Sequence, residues 1–285
     1  MSKKSVGNLN FPLRGKYVAM VAPSFVVDFS YPGIIYSLKK LGFDKVVELT
    51  FGAKMINRDY HKKLCTSREL LISSACPGVV QTIKEKFPEY EPFIANIDSP
   101  MVAMGKVCRK TYPKHKIVFI SPCHFKKTEA ENSKYVDYTI DYLELKELFR
   151  KMKINLDKMP KDRKFQFDKF YNDYTKIFPL SGGLYKTAHL KKVVGKKETL
   201  IADGISDVIK FLEKPKKKIR FLDVTFCRGG CIGGPCVSNE LSLKKRKKKI
   251  IRYLKDSRYE DIPESKKGLV DKAKGLVFRK ILGRK

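Results

Sequence analysis

The sequence predicts an α/β fold built on mainly parallel sheets, and three observations carry that expectation. Short runs rich in β-branched and aromatic residues alternate with segments of helical periodicity. Those runs are largely apolar and near-continuous, as in strands covered on both faces. Three of them lead directly into a cysteine-bearing loop, at 70-LLISSACPG-78, 116-KIVFISPCHFKK-127 and 219-IRFLDVTFCRGGC-231. In open parallel sheets the loops at the carboxyl ends of strands converge on the ligand site. Cysteines distant in sequence can therefore meet at one point.

In chain order, strands are expected at 17-YVAMVA-22, 45-KVVEL-49, 70-LLISS-74, 116-KIVFIS-121, 199-TLIAD-203 and 219-IRFLDVTF-226. Helices are expected at 33–42, 78–87, 100–112, 142–153, 184–193 and 205–214. The stretch 17-YVAMVAPSFVV-27 imitates a signal peptide, but Pro23 interrupts it, Asp28 ends it and no small-residue cleavage site follows. It reads as a buried strand and its loop. Residues 155–183 are polar, aromatic and irregular, a long excursion between two α/β parts. Beyond Cys236, residues 244–256 and 269–282 read as basic helices, the second with Leu269, Ala273, Leu276, Val277 and Leu282 on an apolar side. These boundaries divide the chain into an N-terminal segment (1–16), a main domain (17–236) and a basic helical extension (237–285).

Composition narrows the function classes. A chain of 285 residues, 42% hydrophobic with 18 Phe and 14 Tyr, has ample material for a core. No apolar run reaches membrane-spanning length, and a cytoplasmic location is expected. The net charge of +31 draws acidic partners of any kind, whether electron carriers, nucleic acid or anionic lipid. The run 244-KKRKKK-249 leaves a nucleic-acid or membrane-binding module as one alternative. Against it, no nucleic-acid motif is present and no aromatics interleave the basic run, so a solvated helix face is the plainer reading.

Seven cysteines, at 65, 76, 108, 123, 227, 231 and 236, in a chain without an export signal point to metal ligands, catalysts or buried apolar residues rather than disulfides. Cys65 and Cys108 lie in helix-like stretches and are given no role. Cys76, Cys123, Cys227 and Cys231 belong to the three loops. Four thiolates suit a 4Fe–4S cubane as well as zinc. Gly229 and Gly230 permit positive φ between Cys227 and Cys231, and close approach of backbone amides to inorganic sulfide. Pro77 and Gly78 after Cys76 read as a helix start, whose dipole favours a thiolate.

Together 73-SSACPG-78, 121-SPCHFKKTEA-130 and 227-CRGGCIGGP-235 resemble the three signature segments of the FeFe (iron-only) hydrogenase H-cluster domain. The stretches 19-AMVAPSF-25, 99-SPMVAMG-105, 181-SGGLYKTAHL-190 and 202-ADGISDV-208 match as well, so the resemblance runs from about residue 17 to about 255. It implies a two-lobed α/β domain with the cluster between the lobes. The H-cluster of that family is a 4Fe–4S cubane joined through one cysteine sulfur to a 2Fe subsite carrying CO, cyanide and a bridging dithiolate amine. By motif position, Cys76, Cys123, Cys227 and Cys231 would hold the cubane and Cys231 would bridge to the 2Fe subsite. Lys126 would donate to a cyanide ligand, Glu129 would fix its loop, and Ser99 matches a serine of the usual proton route.

The departures from the family pattern bear on rate. Ala75 stands where prolific members place the cysteine that passes protons to the dithiolate amine, and alanine has no exchangeable proton. Ser121 and Thr225 replace methionines, and Val79 replaces a tryptophan. These features resemble the divergent, sensory branch of the family. The resemblance implies reversible H2 oxidation and proton reduction at low turnover, with maturation enzymes supplying the cluster. Cys65, Cys108 and Cys236 do not make a further four-cysteine cluster, so an external electron carrier, such as an acidic ferredoxin, or a partner subunit is expected. A cubane-only protein like the hydrogenase-like iron–sulfur assembly factors would keep the same four cysteines and remains the alternative.

Overall fold

The computed structural model describes residues 4–155, 160, 165–168, 170, 174–238, 240–257 and 273–280. Its strands are β1 (Tyr17–Val21), β2 (Lys45–Glu48), β3 (Leu71–Ile72), β4 (Lys116–Ser121), β5 (Tyr138–Asp141), β6 (Thr199–Asp203) and β7 (Phe221–Thr225). They form two sheets, ordered β2-β1-β4-β5 and β3-β7-β6. Every pairing in both is parallel. The α/β architecture expected from the sequence is therefore the one observed, and the two lobes are the two sheets with their helices.

Continuous burial explains the apolar runs. Val18, Ala19, Met20 and Val21 of β1 are all fully buried, because β1 lies inside its sheet with helices on both faces. The helices are α1 (Gly33–Lys40), α2 (Thr50–Thr66), α3 (Pro77–Lys86), α4 (Pro100–Thr111), α5 (Phe125–Glu131), α6 (Tyr142–Lys151), α7 (Gly183–Thr187), α8 (Ile205–Glu213) and α9 (Leu243–Asp256). Their starts are chemically marked. Pro77 opens α3, the Ser99 hydroxyl caps α4, and Asp141 with Glu144 forms a capping box on α6. The large lobe has its core around Phe25, Leu38, Val47, Met104 and Phe119. The small lobe is built on Ile72, Val79, Ile83, Val208, Phe211 and Leu222.

Several expectations are corrected. The strand expected at 70–74 shrinks to Leu71–Ile72, because Ser74 turns its hydroxyl to the Ile97 carbonyl (2.7 Å) and its amide to Tyr60 (2.8 Å). The helix expected over 184–193 breaks after Thr187, where His189 takes φ 53°. Helix α2 and strand β5 were not anticipated. Much of α2 is polar, although Phe51, Met55, Ile56, Tyr60 and Leu64 mark its buried face. The helix expected over 269–282 is absent from 273–280, where a turn at Gly275 (φ 77°) leads into irregular chain. There Lys106 on α4 donates to the Val277 carbonyl (2.8 Å), and the Phe278 carbonyl accepts from the Asp98 amide (2.9 Å). Of the apolar side expected on it, Ala273 is buried and Val277 exposed, while Leu269 and Leu282 lie outside the described residues.

Helix α9 packs in the large-lobe core through Ile250 and Tyr253, and the Tyr253 hydroxyl donates to Glu48 (2.7 Å). Arg246 turns inward to the Ile232 carbonyl (2.9 Å), whereas Lys244, Lys245, Lys247, Lys248 and Lys249 are exposed. The basic run is thus one solvated face of a packed amphipathic helix. No helix among the described residues is long and apolar enough to cross a membrane.

Candidate metal centre

Cys76, Cys123, Cys227 and Cys231 all line one cavity of about 990 Å³, mouth included, between the two lobes. Cys76 follows β3 and precedes α3, Cys123 follows β4 of the other sheet, and Cys227 and Cys231 follow β7. Parallel pairing within each sheet gathers its strand ends at one edge, and the loops from the two sheets line one cavity. Cys65 is exposed and Cys108 is fully buried on α4, and neither reaches the cavity.

Aromatic contacts bring the loops into register. The Phe125 ring, two residues after Cys123, rests on Gly78, two residues after Cys76. A Cβ on Gly78 would come within 2.7 Å of that ring. Phe125 also meets Phe226, which precedes Cys227, edge-on at 4.8 Å between centroids. The third loop is held from its other side by residues 179–181. The Cys231 amide donates to the Pro179 carbonyl (2.7 Å), and Leu180 forms a bridge with Gly230. Gly229 and Gly230 take φ 83° and 77°, as their spacing predicts. Their amides, however, are already engaged: Gly229 donates to Asp203 (2.6 Å) and Gly230 to the Cys227 carbonyl (3.0 Å). Both amides thus help to fold the turn.

Burial and mutual proximity govern the sulfurs. Burial raises the Cys123 thiol, with the Cys76 sulfur adding to it. Cys227 is pushed up to about 11, by burial first and then by Cys123 and Cys76. Cys231 is raised further still by burial and by the same neighbours. Its side chain is open to solvent through the cavity and otherwise walled by protein. Four sulfurs packed this way repel one another as thiolates, so ionising them together requires cations among them. The donor set and its electrostatics therefore fit a metal–sulfur group.

Beside the sulfurs runs a polar chain. Lys126 donates to Glu129 (2.6 Å) and to the Ala75 carbonyl (3.3 Å), and Ser99 donates to the same Glu129 oxygen (3.0 Å). Lys126 and Glu129 are largely buried and Ser99 fully so. Lys126 also lines the cavity, as does Ala75, which brings only a methyl group there. Ser121 is occupied elsewhere: its hydroxyl accepts from the Cys123 amide (3.1 Å) and donates to the Cys123 carbonyl (3.0 Å), turning the loop. Thr225 lines the cavity and donates to the Ala202 carbonyl (3.3 Å). Val79 is buried in the small-lobe core.

Sequence reasoning missed Asp223. It lines the cavity, is almost fully buried and accepts from the Tyr185 amide (3.0 Å). Burial raises its carboxyl to about 6, against which the Tyr185 bond acts only in part. An acidic residue inside the apolar run 219-IRFLDVTF-226 was the available signal.

Fold and cavity together define a class: a two-lobed parallel α/β domain with a cage of cysteines at strand ends from both sheets. Residues 15–235 match the model of the iron only hydrogenase large subunit, C-terminal domain. The chain belongs to that family. Iron hydrogenase 1 of Clostridium pasteurianum is 26% identical, with 79% of this chain and 50% of that protein covered. The chain thus spans about half the length of this curated relative. Among solved structures, an apo form of the FeFe-hydrogenase HydA1 from Chlamydomonas reinhardtii matches with a TM-score of 0.66 at 17% identity, covering 85% of this chain and 84% of that one. A FeFe-hydrogenase structure concerned with oxygen inactivation of the H cluster gives 0.67 at 18% identity with the same coverage.

Proposed function

We propose that this chain holds an H-cluster in the cavity between its lobes and reacts with dihydrogen at low turnover, in keeping with a sensing role. The observation that carries the reading is the meeting of Cys76, Cys123, Cys227 and Cys231, from three separate loops, in one cavity beside Lys126. In this reading the four cysteines would hold a 4Fe–4S cubane, and Cys231 would also hold the 2Fe subsite. When bound, the group supplies the redox centre at which dihydrogen interconverts with protons and electrons.

The chain's own residues do the rest. Glu129 draws the Lys126 ammonium to a fixed position, leaving one of its three N–H groups uncommitted among the described residues for an anionic ligand in the cavity. Phe119, Leu180 and Val224 give the same space an apolar lining. Ser99 and Glu129 can hold and pass a proton along their 3.0 Å contact. At the inner end the Ala75 methyl accepts none, so proton delivery to the cavity is the slow stage. Electrons would come from an external acidic carrier, to which the charge of +31 is complementary.

The same cysteines would serve a cubane-only protein, and the loss of proton chemistry at Ala75 favours that as the second reading. The test is an iron and sulfide count on the full chain after anaerobic co-expression with H-cluster maturation enzymes, followed by infrared spectroscopy. Bands from bound CO and cyanide are expected. Iron and sulfide without those bands would replace the proposal by the cubane-only reading, and absence of iron would remove both.

A further inference from the structure

A second group of metal-ligating side chains lies next to the cavity and uses none of its four cysteines. His124 follows Cys123 directly, Asp141 ends β5, and Cys236 sits five residues beyond Cys231. One ligand atom from each, a ring nitrogen, a carboxylate oxygen and the sulfur, all lie within 4.8 Å of one another. We propose that His124, Asp141 and Cys236 form a second metal site, taking a thiophilic divalent cation, zinc above all, with a fourth position open to water.

The present contacts leave these atoms available. The Cys236 sulfur is fully buried and lies 3.5 Å from both ring nitrogens of His124. Each nitrogen directs its lone pair or N–H outward in the ring plane, so a sulfur equidistant from both lies along neither direction. Sulfur and ring touch without an aligned hydrogen bond. Asp141 caps α6 with one oxygen, which accepts from the Leu143 and Glu144 amides (3.0 and 2.9 Å). Its other oxygen accepts from Lys127 (2.6 Å). A carboxylate has about four acceptor positions, so one remains on the Lys127 side.

Charge points the same way. Lys127 also meets Glu144 (2.8 Å). Two carboxylates (Asp141 and Glu144) face one ammonium there, and burial pushes the Cys236 thiol up to about 12, so a divalent cation that takes the sulfur displaces its proton. Imidazole, thiolate and carboxylate together suit zinc, and three protein ligands leave its fourth position open. Asp141 and Cys236 are buried whereas His124 is exposed. A cation thus enters from the solvent side, and the His124 ring turns to close over it. Bound there, it would clip the Cys123 loop to the chain leaving the third motif. Those segments already approach closely, since a Cβ on Gly234 would come within 2.7 Å of the Pro122 carbonyl.

The test is zinc content of the full chain after zinc equilibration and desalting, with and without cubane reconstitution, for wild type, His124→Ala and Cys236→Ser. Wild type is expected to retain one zinc more per chain than either variant in both states. X-ray absorption at the zinc edge should show a single sulfur at about 2.3 Å with nitrogen and oxygen neighbours at about 2.0–2.2 Å. Equal zinc in wild type and both variants overturns the proposal, as does a zinc environment of three or four sulfurs, which belongs to the cavity cysteines. His124 is exposed, so its replacement keeps the fold and the test survives if Cys236→Ser does not fold. Iron and sulfide are counted on the same samples, so failure of the zinc site and failure of the H-cluster reading are separately visible.

Discussion

The cysteines of the cavity and the polar chain beside them follow the hydrogenase pattern to different extents. All four cysteines are present and converge. In the chain proposed to carry protons, Ser99, Glu129 and Lys126 are hydrogen-bonded in succession, ending on the Ala75 carbonyl. What is missing is one side chain at the inner end. The contrast teaches that a cluster cage and a proton path are separable demands. The cage needs backbone geometry set by Gly78, Gly230 and the packing of Phe125, whereas the path needs a titratable atom at one point.

Three substitutions probe that contrast. The largest effect is expected for Ala75→Cys, which supplies the missing proton acceptor without touching the cage. Hydrogen turnover of fully matured protein should rise on the order of a hundredfold. An unchanged rate at equal cluster loading would show that the proton path is not what limits it. Next comes Gly230→Ala. Its backbone (φ 77°, ψ −149°) strains any residue with a Cβ, and that Cβ would meet the Pro179 carbonyl at 2.4 Å. A loss of about 2 kcal/mol in denaturant unfolding is expected, with reduced iron incorporation. Wild-type stability in this variant would mean that the third loop is not held as described.

The smallest effect is expected for Asp223→Asn. Because burial raises the carboxyl to about 6 in the folded chain, the fold binds that proton more tightly than the unfolded chain does. Stability is therefore lost as pH rises from about 4 through about 6, and the whole cost is present at neutral pH. The amide can still accept from Tyr185, so the variant should be more stable by about 1 kcal/mol at pH 7. The gap should close by about pH 4, measured as urea midpoints across that range. A pH-independent difference would place the cause elsewhere.

Much of the fold was legible because its strands, β6 excepted, are buried on both faces and its helices carry marked starts at Pro77 and Ser99. Helix α2 escaped notice because much of its sequence is polar. The segment 273–280 was misjudged because its apolar spacing mimics a helix, while Gly275 turns the chain and Lys106 takes the Val277 and Arg279 carbonyls. In the site, the four cysteines and Lys126 announced themselves by motif. Asp223 stood inside an apolar run, and nothing in the linear pattern joins His124 to Cys236, whose proximity spans 112 residues of chain.

Local chemistry by itself determined which residues could ligate, which turns needed glycine and that Ala75 cannot carry a proton, since these follow from side-chain atoms and φ preferences. Tertiary structure decided which of those residues share a space. The meeting of the three loops depends on parallel strand ends and on Phe125 seated against Gly78 and Phe226. The commitment of the Gly229 and Gly230 amides, the raised Asp223 carboxyl and the His124–Asp141–Cys236 cluster arise from burial and from contacts between distant segments, which a linear pattern does not encode.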